Sequence, residues 1–253
     1  MNGVFGSQPL PPLERKRILW LALGAFIFVF VLWQTESILL YPFRLLVTYV
    51  HEMGHGLAAV ITGGEFISFH VYPDGSGIAF TDGGSRHLIL LSGYVGTALF
   101  GSLLLFAANR VRRVRLVTTA CGTFFALSAL LFGGTGGWTI ETAVTSFFAI
   151  MVGIIGCMVF IALARYASRT INVLSLNTLA FIIGFNVVSD FLFLLRNQDI
   201  GIGMVTNDAA AMAKLTRMPT LTWIVIWAAA SLIMMGAAFI FAFVEPERNS
   251  EAI

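Results

Sequence analysis

Apolar runs close to the length that crosses a bilayer decide what this chain can fold into. A spanning helix needs roughly 20 mostly apolar residues, and about seven such segments fit here, at 18–33, 42–62, 88–108, 116–132, 140–164, 171–195 and 221–244. Only 11% of the 253 residues are charged, where a soluble domain carries about a quarter. Polar side chains are too few to cover a water-facing surface, so lipid must solvate much of the chain. The mean hydropathy of +0.88 agrees. The expected fold is an all-α polytopic membrane bundle of about seven (6–7) transmembrane helices. It divides into a disordered tail at 1–17, a single integral membrane domain at 18–244 and a polar tail at 245–253.

Breaks in the apolar pattern place the smaller elements. Gly63-Gly64 stops the second run, and from Glu65 the sequence alternates, with Ile67, Phe69 and Val71 on one side and Phe66, Ser68, His70 and Tyr72 on the other. Pro73-Asp74-Gly75 supplies turn chemistry before Ile78-Ala79-Phe80, which predicts a β-hairpin at 65–81. The stretch 196–219 is too polar to cross and reads as a surface segment, with a short helix over 208–217.

The net charge of +2, with arginines scattered between apolar runs, argues against a nucleic-acid partner. Cys121 and Cys157 each fall inside a predicted span, which excludes a disulfide framework and a thiolate zinc cage. The basic residues should orient the chain. With seven full crossings the two sides nearly tie: Arg15, Lys16, Arg17, Arg86, Arg196, Lys214 and Arg217 against Arg44, Arg110, Arg112, Arg113, Arg115, Arg165, Arg169 and Arg248. No direction is assigned on this count, and a re-entrant segment remains open.

The second run carries His51-Glu52-Met53-Gly54-His55. Histidines at i and i+4 lie one turn apart on one helix face, so both imidazoles can coordinate one ion, with Glu52 at the edge of that face. Zinc suits such a site because it binds imidazole well and keeps a position open for water. Zinc brings the pKa of water towards neutrality, so Glu52 can take its proton as hydroxide attacks a carbonyl, then pass it to the leaving amine. Ionisable residues within a membrane helix are costly and mark function; here three fall within one turn. The bland reading makes them buried polar residues bonded between helices. Asp190, deep in the run 171–195, ranks first as third ligand. Asp208 ranks second, since it also reads as a helix N-cap. His70, His87, Asp74 and Asp82 read as interfacial or turn residues, and Glu141 as a first-turn residue.

The embedded His51-Glu52-x-x-His55, the hairpin after it, Leu91-Ser92-Gly93-Tyr94-Val95-Gly96 opening the next span and the late Asp190 together resemble the site-2 protease group of intramembrane zinc metallopeptidases, most closely its compact peptidase-like branch. Asn207-Asp208-Ala209 with Pro219 and Trp223 to Trp227 is similar to the end of that branch. The resemblance implies Zn²⁺ on His51 and His55, water activation by Glu52, an aspartate completing the site and a membrane protein as substrate. It also implies Asn186 as a substrate contact and a bacterial cytoplasmic membrane as location. Better-studied members carry an asparagine, a proline and an Asp-Gly pair; here Asn186 and Asp190 stand close together, the proline is absent and Phe191 replaces the glycine.

Two other classes compete with the protease reading. One is a non-catalytic scaffold of the same fold, which has no need to retain zinc. The other is a metal transporter using the histidines transiently, against which the lack of repeated halves weighs.

Overall fold

The computed structural model describes residues 12–34, 38, 41–134, 140–196, 201–202 and 205–244. The expected C-terminal tail lies outside the described residues. In chain order the elements are α1 (Pro12–Gln34), α2 (Tyr41–Ile61), β1 (Glu65–Val71), β2 (Gly77–Asp82), α3 (Arg86–Ser92), α4 (Tyr94–Arg110), α5 (Val114–Phe132), α6 (Ile140–Tyr166), α7 (Arg169–Arg196), β3 (Gly201–Ile202), β4 (Val205–Thr206), α8 (Asp208–Thr216) and α9 (Thr220–Phe239), the last closing in a π-helical turn, Ile240–Val244.

Among the described residues α5, α6, α7 and α9 hold stretches long and apolar enough to cross a membrane, and α3 with α4 adds a fifth if the bent pair is one span. This is short of the expected seven. The difference falls on α1 and on α2, whose Arg44, Glu52 and two histidines lower its hydropathy. The span expected at 88–108 is broken at Gly93, where α3 and α4 meet at a 52° bend. Helix α1 begins at Pro12, so the tail expected at 1–17 is helical over its last residues; proline suits a first helical position because its missing N–H would have no partner there.

The hairpin forms where alternation predicted it. β1 and β2 pair antiparallel from Glu65↔Asp82 to Val71↔Gly77, with a bulge between Phe66 and Ser68. Gly63 (φ 84°) ends α2 and Gly75 (φ 88°) closes the turn, both in the left-handed region that a side chain disfavours. The hairpin lies back along α2. The Tyr41 hydroxyl donates to the Pro73 carbonyl at 2.8 Å and the Thr48 hydroxyl to the Gly75 carbonyl at 2.6 Å. At the other end of α2 the Ser85 amide donates to Thr62 Oγ1 at 2.9 Å. The short β3–β4 pair before α8 was not anticipated; two-residue strands carry no alternation to read.

Side-chain contacts fix the direction of α1 against α7. Phe26 meets Phe181 at 6.1 Å and Phe30 meets Phe185 at 5.0 Å between ring centroids, so α1 runs parallel to α7. Seven alternating crossings would set these two antiparallel. The physical reason is that α2, its hairpin and α3 together leave and return to the same end of the bundle: Ser85 lies beside Thr62 at the close of α2, and α3 runs back along α2 with Ile89 at His55 and Gly93 at His51. At the opposite end Arg110 donates to the Phe241 carbonyl and Arg115 to the Ala167 carbonyl. These bonds gather the α4–α5 turn, the α6–α7 turn and the close of α9, and the start of α1 lies at the same end.

Burial anchors α2 from beneath. The Tyr49 hydroxyl lies 2.7 Å from Ser128 Oγ, and its ring packs on Phe69 and Phe125 at 4.8 and 5.3 Å. A Cβ at Gly153 would meet Ala129 at 2.5 Å and this hydroxyl at 2.8 Å, the close approach that small residues permit between membrane helices. Outside, Leu130 is 76% and Ile233 70% exposed. Such side chains belong against acyl chains, where their exposure costs nothing.

Candidate metal centre

Helical spacing alone brings the two histidines together. In α2 the His51 and His55 ring centroids stand 4.8 Å apart with planes at 79°. His55 Nδ1 lies 2.6 Å from the Ile89 carbonyl oxygen. A carbonyl only accepts, so Nδ1 carries the proton, and in the neutral ring Nε2 keeps the lone pair a metal needs.

The third group comes from the surface segment. Asn207, not Asp208, is the N-cap of α8: its side-chain oxygen accepts the Ala210 amide at 2.9 Å. Asp208 is thereby the first helical residue, with Oδ2 3.1 Å from His51 Nε2 and 3.3 Å from His55 Nε2. One donor atom from each of the three residues lies within 4.8 Å of the others. Burial alone would raise the Asp208 carboxyl, but the imidazoles of His55 and His51 outweigh it and hold this group below its usual range. Donors bound tetrahedrally to zinc at about 2.0–2.1 Å stand about 3.3–3.4 Å apart. The nitrogen–oxygen separations here are close to that edge, and two imidazoles with one carboxylate are a zinc donor set.

Asp190, ranked first as third ligand, is not in this group. Its Oδ2 accepts the Asn186 side-chain amide at 2.6 Å, one turn back on α7, so the polar bond it needs within the bundle is local. It remains within electrostatic reach of His51 and Arg44. Asn186, expected as a substrate contact, commits its amide to Asp190. Among the other candidates, His87 and Asp82 are exposed, and Asp74 accepts from the Ser76 amide and hydroxyl within its own turn. His70, expected at the interface, is instead buried, with its ring 5.1 Å from that of Phe80.

Glu52 is 5% exposed and covered by the hairpin. The Ala79 backbone faces its carboxyl, and a Cβ at Gly77 would stand 2.7 Å from Oε1. The Gly93 bend serves the histidines in the same way: a Cβ there would stand 2.5 Å from His51 Nε2 and 2.6 Å from His55 Cε1. Tyr94 follows, edge-on to His51 at 4.6 Å and stacked on Trp227 at 6.0 Å. The roles of Ile89, Gly77 and Ala79 left no mark in the sequence. Gly93 and Tyr94 stand in the Leu91-to-Gly96 run, which marked them without showing their contact.

A family model described as Peptidase M50B-like matches residues 22–238. The chain belongs to this family. Comparison with curated proteins and with solved structures gives no match. Membership places this M50B-like chain among the site-2 protease-like metallopeptidases, and M50 peptidases are zinc enzymes. Its apolar helices and its family mark it as an integral membrane protein. For this M50B-like site, Gly93→Ala is expected to weaken zinc binding by at least about 10–100-fold, the range typical when support of a ligand imidazole is lost. Zinc titration of the purified variant checks this; wild-type affinity would mean that the rings can yield to a methyl group.

Proposed function

We propose that this protein is an intramembrane zinc metalloprotease, hydrolysing a peptide bond in or near a transmembrane segment of another membrane protein in a bacterial cytoplasmic membrane. The observation that carries this is the convergence of His51, His55 and Asp208, from distant parts of the chain, beside a buried Glu52. His51 and His55 would hold zinc through Nε2 and Asp208 through its carboxylate. Zinc there would supply a Lewis acid that polarises a carbonyl and acidifies water. Glu52, beside the donors, accepts a proton from the attacking water and returns it to the leaving amine.

A membrane helix resists hydrolysis because its carbonyls are bonded within the helix, so a substrate must be held extended. Strand β2 pairs only with β1 among the described residues, and its Ala79 contacts Glu52. Its other edge supports strand addition by an unwound substrate segment, with main-chain bonds fixing the register of the bond to be cut.

Zinc stoichiometry on detergent-purified protein tests the reading. The expected result is about one zinc per chain, since one donor set is present among the described residues, and near-complete loss in His55→Ala. Metal-free wild-type protein in zinc-replete buffer would overturn it.

A further inference from the structure

We propose that the corner where the α4–α5 turn meets the α6–α7 turn binds an anionic phospholipid, with its phosphate on arginine guanidinium groups and its acyl chains along α5 and α6. Arg110, Arg112, Arg113 and Arg115 come from the first turn and Arg165 and Arg169 from the second, and the bond from Arg115 to the Ala167 carbonyl ties the two turns together. Arg112, Arg113, Arg115 and Arg165 are exposed. From Gly83 to Ser189 the only acidic residue is Glu141, which stands near the start of α6, about 36 Å of helix from Arg165. The start of α1 adds exposed Lys16 and Arg17 at the same end. Set against all of these, Glu14 and the tail's Glu245, Glu247 and Glu251 still leave the basic residues in excess.

The corner is held in shape before any ligand arrives. Asn172 Nδ2 donates to the Leu163 and Ser168 carbonyls at 2.9 and 3.0 Å, stapling the end of α6 to the start of α7. Arginines carried on a fixed backbone have less freedom to lose on binding. Their chemistry selects the phosphate, because the planar guanidinium fork matches two phosphate oxygens at once. Their depth selects a lipid. Tyr166 is 80% exposed, with Arg165 Cζ 5.8 Å from its ring centroid, and Trp20 on α1 is 72% exposed; aromatic rings of this kind sit at the headgroup level. Next to the turns Leu116 on α5 and Met158 and Ile161 on α6 present apolar surface to the bilayer. An occupant that satisfies both zones joins a phosphate to hydrocarbon chains. Phosphatidylcholine carries its own compensating cation, whereas phosphatidylglycerol leaves its charge for the arginines. The inference rests neither on the proposed proteolysis nor on which leaflet the corner faces.

Native mass spectrometry of the detergent-purified full chain, titrated with dioleoylphosphatidylglycerol or dioleoylphosphatidylcholine, tests it. The wild type should bind phosphatidylglycerol at least about 10-fold more tightly, the scale expected of several arginines at an anionic surface; equal binding of the two lipids overturns the inference. Arg112→Gln, Arg113→Gln and Arg165→Gln combined should weaken phosphatidylglycerol binding at least about 10-fold and leave phosphatidylcholine binding unchanged. Each of the three substitutions alone should weaken it severalfold, so the test survives a triple variant that fails to fold. Wild-type affinity in all three single variants overturns the inference. Arg86→Gln with Lys214→Gln, on the helices α3 and α8 that reach the metal centre, should change nothing; an equal fall there would assign the effect to overall charge and overturn the corner as the site. Millimolar inorganic phosphate should not displace the lipid, and full displacement would make this a site for a soluble anion instead. Neither zinc nor cleavage is read, so failure here leaves the metal chemistry standing, and a failed zinc assay leaves the lipid site standing.

Discussion

Glutamine in place of Glu52 is expected to lower turnover by about 10²–10⁴-fold, the usual contribution of a positioned acid–base group, while zinc content stays at the wild-type level. The substitution is nearly isosteric in a site where Gly77 leaves no room for a larger group. The amide keeps an oxygen facing the Ala79 backbone but cannot take a proton from water. Cleavage of a membrane-spanning peptide by purified wild type and variant in proteoliposomes, with zinc measured on the same samples, separates the two effects. Undiminished cleavage by the variant removes Glu52 from the chemistry. Lost zinc together with lost cleavage assigns it a structural role instead.

Asp208→Ala is expected to weaken zinc binding by more than the roughly 100-fold typical for loss of an outer partner, whereas Asp190→Ala leaves zinc occupancy near wild type. The contrast follows from geometry. Asp208 Oδ2 lies within 3.3 Å of a nitrogen on each histidine, while Asp190 is bonded to Asn186 on its own helix. The Asn207 cap survives the first substitution, so α8 keeps its start and the lost affinity reports the carboxylate. Asp208→Asn, which retains an oxygen but not the charge, should fall between. Competition titration with a zinc chelator reads all three variants. Zinc retained in Asp208→Ala and lost in Asp190→Ala would return Asp190 to the donor set.

The pairing of His51 with His55 was legible because helical periodicity is local: a spacing of four residues dictates a shared face wherever the helix sits. The hairpin was legible for the same reason, as alternation and Pro73-Asp74-Gly75 act over a few residues. The carboxylate that the fold brings beside them was not, because Asp190 and Asp208 differ only in where distant chain falls. Insertion cost favoured the deeper Asp190, but an intrahelical amide meets that cost equally well. The direction of α1 was hidden likewise. Apolar length does not reveal that α2, its hairpin and α3 together return to the end where α2 started, and counting α2 as a separate crossing put the charges of 15–17 at the opposite end from the α6–α7 turn.

His51 and Asp208 lie 157 positions apart, and the described cysteines form no disulfide. A cation bridging them would clasp a loop comprising most of the protein, the kind of closure whose entropic benefit grows with the length enclosed. Chelation and docking of the late α8 segment would then reinforce each other. Without the ion, α8 would keep its place through packing alone, with Ala209 and Met212 buried against Leu90, Ile224 and Trp227.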